Sequence, residues 1–342
     1  MNWNDGFTAS FYAVTINKDT WREEETIPII DGSVKRESSD LMESAEVTCS
    51  EYDGAERYVR IYMDTKQIGA SEHVPVFTGL ATSPGRDIDG SRETNRLECY
   101  SVLKPCQDIL LDRGYYIPAA LPLGNTFRKL CSYTPAPLEI DGDLPALNNA
   151  IIAEDEETAL SMIWKVIKAV QWSLRIDGDG TIRVEPATDD VAASFDSLEN
   201  DSIEPEVNVS RDWYSLPNVF RAISEDLTAV ARDDDPESPL STVNRGREIW
   251  DQEESVELGD GESIGAYALR RLKELQNAAT TVSYTRRFHP DIRPGDVIRL
   301  HYPEQEIDGR FIVTSQSITL GPGAPTSEEV RNEGGALDEF NE

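Results

Sequence analysis

The sequence predicts a mainly β protein in which two β-rich regions flank a small α+β module. Short runs that alternate apolar and polar residues occupy residues 7–109 and return at residues 281–320 of the 342-residue chain. Turn residues separate these runs, as is typical of antiparallel strands. Between the two regions the apolar period becomes helical, and a chain of this length is expected to hold two or three domains.

Residues 1–109 are predicted to form a closed barrel or a sandwich, because six short strands follow one another between regular turn signals. Asp31-Gly32 marks a turn or bulge inside the second strand, and Asp53-Gly54 and Asp89-Gly90 mark turns between later strands. The predicted strands are Phe7–Ile16, Ile27–Arg36, Glu43–Cys49, Arg57–Asp64, Val74–Thr82 and Arg96–Leu103.

Residues 110–200 are predicted to form the α+β module and an acidic linker. The clearest helix in the sequence lies here, with apolar residues at helical spacing and acidic residues in its first turn. A hairpin follows the helix, and the linker beyond it lacks apolar periodicity. The predicted elements are the helices Thr126–Cys131 and Asp155–Val170, the hairpin strands Gln171–Ile176 and Thr181–Glu185, and the linker over residues 188–205.

Residues 201–325 are predicted to form the second β-rich region, with one helix, and residues 326–342 a flexible acidic tail. The region closes with three antiparallel strands. Pro294-Gly295 sets the turn between the first two strands, and Asp308-Gly309 a tight hairpin turn between the last two. The predicted elements are the strand Asn218–Ser224, an exposed loop Asp226–Ser241, the helix Ser263–Ala279, and the closing strands Thr281–Phe288, Val297–Tyr302 and Arg310–Leu320.

Charge is the strongest compositional signal, since 64 Asp and Glu against 32 Lys and Arg give a net charge of −32. Such a chain is not expected to bind nucleic acid by neutralising phosphates, because that mechanism needs a basic surface. Solubility in a salty or crowded setting, halophily included, is the simplest interpretation. The more specific interpretation is a surface past which a polyanion slides without sticking.

The sequence predicts no membrane span and no signal peptide. It contains no run of about 18 apolar residues, and its first residues lack a basic segment followed by an apolar one. Its four cysteines, Cys49, Cys99, Cys106 and Cys131, form no C-x-x-C pair. Buried free thiols are favoured over two disulfides in a chain without a secretion signal.

Three candidate sites for chemistry have simpler structural interpretations. Asp177-Gly178-Asp179-Gly180 begins like a calcium loop, but the later oxygen ligands and closing Glu are missing, so a hairpin turn is predicted. His73, His289 and His301 lack metal-ligand spacing, although the last two lie at strand ends that the fold can bring together. Glu248-Ile249-Trp250-Asp251 combines acids with an aromatic residue, as sugar sites do, yet an exposed strand with one anchoring Trp is simpler.

The six tryptophans divide into two groups. Trp164 and Trp172 lie on the middle helix and the strand after it, and are predicted to be core residues. The others lie near strand edges or loops, where core or rim packing is expected and anchoring of an interface is the alternative. This second group is Trp3, Trp21, Trp213 and Trp250.

The order of elements and the closing segment resemble the tail hub, or baseplate hub, proteins of tailed bacteriophages and related contractile machines. The hub family often shows a PGD turn, a strand, a G-x-aromatic-x-V run and a further strand late in the chain. The match covers residues 205–325, whereas architecture alone supports it over the first 200 residues. The residues that carry it are Leu216-Pro217-Asn218-Val219-Phe220-Arg221, the helix Ala266–Leu275, Val282-Ser283-Tyr284, Arg293-Pro294-Gly295-Asp296-Val297-Ile298-Arg299-Leu300 and Gly309-Arg310-Phe311-Ile312-Val313-Thr314-Ser315.

The resemblance implies two tube-type antiparallel β-barrels per chain, flanking the α+β module. Three chains would place six barrels in a pseudo-sixfold ring that joins the tail tube to the tip. It also implies a structural virion protein of the tail tip, assembled in the host cytoplasm, with an acidic channel through which DNA passes without specific binding. The expected partners are two further copies of the chain, the tail tube or distal tail protein ring, the tape measure protein, and other tip or fibre proteins.

Many hub proteins carry a fused lysozyme or peptidase domain, but this chain shows no catalytic motif after its second β-rich region. We therefore expect no enzymatic activity, no cofactor, and no catalytic, cofactor-binding or metal-binding residues. Two alternatives remain open at this point. One is a carbohydrate-active β protein that cleaves cell-wall polysaccharide with an Asp/Glu pair, and the other is a receptor-binding or adhesin module that uses aromatic residues such as Trp250.

Overall fold

A computed structural model shows a mainly β molecule in which one twelve-stranded sheet runs through both β-rich regions, confirming the predicted fold class. The structure describes residues 1–50, 52, 54–89, 92–197, 202–211, 213–224, 227–256, 258, 262–277, 280–305 and 307–332. No helix in these ranges is long and apolar enough to cross a membrane.

The first six strands close into a ring. They pair antiparallel in the order β1-β4-β5-β6-β3-β2, and β2 pairs back with β1, with Ala13 opposite Ile27. Alternate side chains point into the ring, where Ile61, Met63 and Phe77 are fully buried. The strands are β1 (Thr8–Ile16), β2 (Glu23–Glu37), β3 (Glu43–Cys49), β4 (Arg57–Gln67), β5 (Ala70–Asp89) and β6 (Arg92–Ser101).

The first α+β insert follows β6 and packs around Phe127, Leu160 and Ile163, in a core that also includes Val14 and Tyr58 of the first ring. Its main helix begins at Ala159, later than the predicted Asp155, because Thr158 caps it by accepting a hydrogen bond from the Ser161 amide. The elements are α1 (Lys104–Asp108), β7 (Tyr116–Ile117), α2 (Gly124–Cys131), β8 (Leu138–Ile140), β9 (Ile151–Ile152), α3 (Ala159–Val170), β10 (Trp172–Ile176) and β11 (Ile182–Pro186).

The predicted acidic linker over residues 188–205 is wrong, because two strands begin there. They are β12 (Val191–Asp196) and β13 (Ile203–Arg211). Phe195 and Ile203 are buried in one core with Leu300 and Val330 of later strands. Residues 188–205 contain few apolar side chains among acidic ones. The alternation of apolar and polar residues is therefore too weak there to predict strands.

A second α+β insert follows β13, where the sequence predicted one helix within a barrel. Its three-stranded sheet has the order β15-β14-β16, and Phe220 of this sheet packs with Tyr267 and Leu272 of the helix α5. The predicted exposed loop over residues 226–241 is wrong at Leu227–Arg232, which forms β15. The predicted helix is confirmed, with its last two predicted residues outside the described ranges. The elements are β14 (Val219–Ser224), β15 (Leu227–Arg232), α4 (Thr242–Arg245), β16 (Trp250–Glu253) and α5 (Ile264–Asn277).

The last four strands complete the twelve-stranded sheet, but the predicted three-stranded unit is wrong in its pairing. The order is β13-β17-β20-β19-β18-β12, so that β20 lies between β17 and β19, and β17 does not neighbour β18. The hairpin of β18 and β19 turns at Pro303–Gln305 rather than at Asp308-Gly309, since Gly309 already pairs with Leu300. The strands are β17 (Thr280–Arg287), β18 (Val297–Tyr302), β19 (Ile307–Thr319) and β20 (Pro325–Asn332).

The predicted flexible tail over residues 326–342 is wrong over its first part, because β20 occupies Pro325–Asn332. Thr326, Glu328 and Val330 point inward and are buried. Two of these three side chains are polar, so the inward face of β20 does not show the alternation of apolar residues that predicts a strand. Residues 333–342 lie outside the described residues.

The two β-rich regions share one sheet, because β2 pairs with β19 and places Val34 opposite Ile318. The same stretch of β2 pairs with β3 on its other side, so β2 belongs to both regions. Pairings among the described residues leave β12 and β13 at the two ends of the second set of six strands. Closure of this second set into a barrel therefore stays a prediction.

Candidate functional site

One face of the shared sheet extends over strands of both β-rich regions, and we call it the polar sheet face. Side chains directly opposite each other on paired strands point to the same face. One cross-strand row runs over six strands and a second row adds β13, so that seven strands contribute. The rows are Tyr100, Ser44, Lys35, Ser317, Ser327 and Thr285, and Glu37, Ser315, Glu329, Ser283 and Asn208.

Hydroxyls and carboxylates dominate this face. An open cleft of about 500 Å³ runs along it, and Glu204 and Glu206 of β13 line the cleft together with residues of both rows. Four exposed glutamates of the polar sheet face line the cleft, Glu37, Glu204, Glu206 and Glu329, together with the exposed cation Lys35, whereas Arg36 and Glu328 line it from buried positions. Carboxylates repel a polyanion, whereas short hydroxyls offer it water-like hydrogen bonding without a charge to hold it.

The opposite side of the same strands carries a buried charge network. The Arg286 side chain donates to both carboxylate oxygens of Glu328, at 2.7 Å from Nε to Oε2, and each side chain is at most 1% exposed. Gln316 donates to Glu328 over 2.6 Å, and Arg36 of β2 donates to Gln316 over 3.4 Å. The network therefore links β2, β19, β20 and β17 across the junction of the two regions.

Glu43 and Arg36 lie in a buried cluster of charges beside this network. Burial raises the pKa of Glu43 to about 8, although the neighbouring Arg36 and Arg293 oppose the shift. Burial likewise lowers the pKa of Arg36 to about 9, and Arg293 adds to that lowering. Both shifts disfavour the charged forms, which is the effect of removing a charge from water.

The Asp177-Gly178-Asp179-Gly180 segment forms the predicted hairpin turn between β10 and β11, closed by a hydrogen bond from the Gly180 amide to the Asp177 carbonyl over 2.8 Å. Its oxygens accept hydrogen bonds from the first ring of strands, as Thr78 donates to the Gly178 carbonyl and Arg60 to the Asp179 carbonyl, each over 2.7 Å. The Asp177 carboxylate accepts from Arg183 over 3.0 Å. These oxygens fix the first insert onto the ring.

The three histidines lie in separate environments, each beside an aspartate. The His73 Nδ1 lies 2.6 Å from an Asp64 carboxylate oxygen, and the His301 Nδ1 lies 3.2 Å from one of Asp308. His289 packs near Trp3, and burial lowers the pKa of its imidazole. Over the described residues, the structure brings together no group of three His, Cys, Asp or Glu side chains able to hold a metal ion.

All four cysteines are buried, and none forms a disulfide within the described part of the chain, as predicted. Burial raises the pKa of Cys99 and of Cys106 to about 12. A thiol with a raised pKa is a poor nucleophile, because the thiolate is the reactive form. The cysteines therefore act as small core residues.

The Glu248-Ile249-Trp250-Asp251 segment leads into the exposed strand β16, in agreement with the simpler prediction. The Arg221 guanidinium covers one face of the Trp250 ring, at 5.0 Å from the ring centroid. Hydrogen bonds from Arg232 and then Trp250 lower the pKa of Glu248. A glycosidase needs a carboxyl with a raised pKa as its general acid, so this geometry does not favour sugar cleavage.

Sequence reasoning missed the polar sheet face, because its residues come from seven strands whose register the sequence does not state. A signal was present in the alternation of Ser and Thr with apolar residues along β17 and β19. Such a pattern identifies a strand with one solvated face. It does not say which strands share that face.

Two comparisons of the sequence, with protein-family models and with curated proteins, found no match. Solved structures do match the fold. The tail protein from Neisseria meningitidis MC58 superposes with a TM-score of 0.69 at 16% identity, over 96% of this chain and 98% of that chain. The 43 kDa tail protein of prophage MuSo2 from Shewanella oneidensis gives 0.65 at 13% identity, over 94% of this chain and 98% of that chain.

A third match links the fold to secretion machinery. The c3393 protein of E. coli, described as a type VI secretion component structurally similar to the T4 tail proteins gp27 and gp5, superposes with a TM-score of 0.50 at 9% identity. The match covers 90% of this chain and 74% of that chain. These comparisons confirm, for the fold, the predicted resemblance to tail hub proteins.

Proposed function

We propose that this chain is a structural protein of a phage tail tip, a trimeric hub that joins the tail tube to the tip and lines a channel for DNA. The observation that carries the proposal is the polar sheet face, which runs without interruption through both β-rich regions. The fold shared with phage tail proteins over nearly the whole chain supports the same role.

The trimer follows from the two sets of six strands in each chain. Three chains would place six such sets around one axis, which matches a sixfold tube on one side and a threefold tip on the other. Closed symmetric rings of this kind are a common solution for identical subunits. The shared strand β2 and the buried network of Arg286, Glu328 and Gln316 support a fixed angle between the two sets.

The channel follows from the chemistry of the polar sheet face. Four glutamates and many hydroxyls line the cleft on this face, beside Lys35. At physiological salt the repulsion of phosphate extends only about 8 Å, so it acts on DNA that comes close to the wall. Such a wall keeps DNA hydrated and moving, and specific DNA binding is not part of the role.

The location and partners belong to the same proposal. The chain would be assembled in the host cytoplasm and end in the virion tail tip, with no catalytic role. It would contact the tail tube or the distal tail protein ring on one side and tip or fibre proteins on the other. The tape measure protein would contact it from the lumen of the tube.

The test is DNA release from virions that carry Glu37→Lys/Glu329→Lys in the polar sheet face. The matched control is Glu56→Lys/Glu304→Lys, which changes two exposed glutamates elsewhere by the same charge. We expect both variants to assemble tails, and only the first to slow or stall DNA release. Equal release by the two variants would contradict the assignment of this face to the channel.

A further inference from the structure

The second α+β insert carries an open sheet face. The helix α5 covers the other side of the sheet, where Phe220 is buried against it. The next residue of β14, Arg221, points to the open side, and Val230 lies opposite it on β15. Val230 is 51% exposed, and Trp250 on the third strand is 47% exposed. Apolar and aromatic surface therefore lies in contact with solvent on this face.

Two arginines stand over aromatic rings here. The guanidinium carbon of Arg221 lies 5.0 Å from the Trp250 ring centroid, and that of Arg247 lies 5.4 Å from the Tyr214 ring centroid. The Tyr214 side chain is 80% exposed. In the part of the chain that the structure describes, neither arginine forms an ion pair with a carboxylate. We call these four residues and Val230 the arginine–aromatic patch.

Neighbouring contacts hold the patch in place. Arg245 donates to the main-chain oxygens of Leu216 and Tyr214, over 2.8 and 3.2 Å, and so fixes the loop that presents Tyr214. The Glu248 carboxylate accepts from Trp250 Nε1 over 2.9 Å and also from Arg232, which sets the plane of the indole. A surface that is ordered before binding loses less conformational entropy when a partner docks.

The net charge of the chain indicates which kind of partner fits the patch. Each chain carries a net charge of −32, so copies of it repel one another unless the interface places cations against carboxylates. The patch supplies two arginines without carboxylate partners among the described residues, together with Trp and Tyr, the residue types that dominate binding energy at interfaces. We infer that the arginine–aromatic patch docks acidic side chains of a second copy of this chain. This inference rests on the proposed trimeric hub.

The test measures self-association of the purified full-length chain by sedimentation equilibrium, with Arg221→Glu/Arg247→Glu as the patch variant. The matched control is Lys18→Glu/Arg113→Glu, which changes the net charge equally at side chains that are 71% and 86% exposed. We expect the patch variant to weaken the trimer by about tenfold or more, and the control by no more than about twofold. Circular dichroism checks the fold, and Arg221→Gln/Arg247→Gln replaces the patch variant if the glutamates prevent folding.

The outcomes separate this inference from the proposed function. A wild-type trimer that the patch variants leave intact would overturn the docking role alone. A wild-type chain that stays monomeric at all concentrations would overturn both the docking role and the trimeric hub. Selective loss of the trimer in the patch variants would support both.

Discussion

At the scale of single residues, the fold removes several charges from water and pairs them. Arg286 and Glu328 come from β17 and β20, whose pairing the sequence did not reveal. Sequence patterns assign buried positions to apolar residues, so they predict that the two residues of a buried ion pair are exposed to solvent. The same reason explains why β20 was predicted as a flexible tail.

Glu328→Gln is expected to lower the free energy of unfolding by about 3–5 kcal/mol, because it leaves the buried Arg286 charge without its partner. Urea denaturation measures this change. The control is Glu25→Gln, which breaks an ion pair with Arg57 in which Glu25 is 75% exposed, at a cost of about 1 kcal/mol or less. A loss for Glu328→Gln no larger than that of the control would contradict the structural role of the pair.

Glu43 is expected to make stability depend on pH. Burial raises its pKa in the folded state to about 8, above its usual value of 4.5, while Arg36 and Arg293 act against the shift and Asp177 with it. The folded state therefore keeps a proton that the unfolded state releases, and the free energy of unfolding falls as pH rises from 4.5 to about 8.

Glu43→Gln removes this titration. The free energy of unfolding of the variant minus that of the wild type should therefore rise from pH 5 to pH 8.5. Parallel denaturation curves at the two pH values measure that difference. Glu56→Gln, at an exposed position, serves as the control. If the difference between Glu43→Gln and the wild type is the same at both pH values, burial does not govern the carboxyl.

At the scale of elements, local patterns predicted strands and helices better than they predicted pairing. The strands of the first region and the helix α5 follow from apolar periodicity and turn residues. The position of β20 between β17 and β19 does not, because it depends on contacts between residues distant in sequence. The Asp308-Gly309 pair illustrates the limit, since a good turn sequence lies inside a strand opposite His301 and Leu300.

Gly178 is expected to tolerate no side chain, because the first insert docks onto β5 at this glycine. A Cβ there would lie 1.8 Å from the Pro75 carbonyl oxygen and 2.6 Å from its carbon, and main chain cannot move aside cheaply. Gly178→Ala should destabilise the chain by about 1–3 kcal/mol or more, measured by thermal unfolding.

Gly265→Ala provides the contrast to that substitution. Gly265 lies in α5 with no atom within 4 Å of a built Cβ, so alanine should be neutral or stabilise by up to about 1 kcal/mol. A Gly178→Ala protein as stable as Gly265→Ala would contradict the close docking of the hairpin turn.

Truncation distinguishes β20 from the residues beyond it. Removing residues 325–342 takes away the strand between β17 and β19 and should expose both edges, with aggregation or loss of folded protein. Removing only residues 333–342 leaves every pairing of β20 in place. Solubility and circular dichroism of the two truncated chains measure the difference, and equal behaviour would contradict the structural role of β20.

At the scale of the whole molecule, composition and element order indicated the fold class before the register was known. The net charge of −32 argued against nucleic-acid binding through phosphates, and the closing motifs predicted the tail hub fold that the solved structures share. The candidate site could not be predicted from the sequence, because the polar sheet face exists only when β2 pairs with β19 and joins the two regions. The second insert was not predicted, because the one helix that the sequence indicated there was assigned to a barrel.

In the proposed hub, three copies surround a channel whose wall is the polar sheet face. A cryo-electron microscopy map of assembled tails that resolves side chains at the tip tests this arrangement. We expect three copies around the axis, with Glu37, Ser317 and Glu329 facing the lumen. A map in which this face points away from the axis, or in which the copies are not arranged in threefold symmetry, would contradict it.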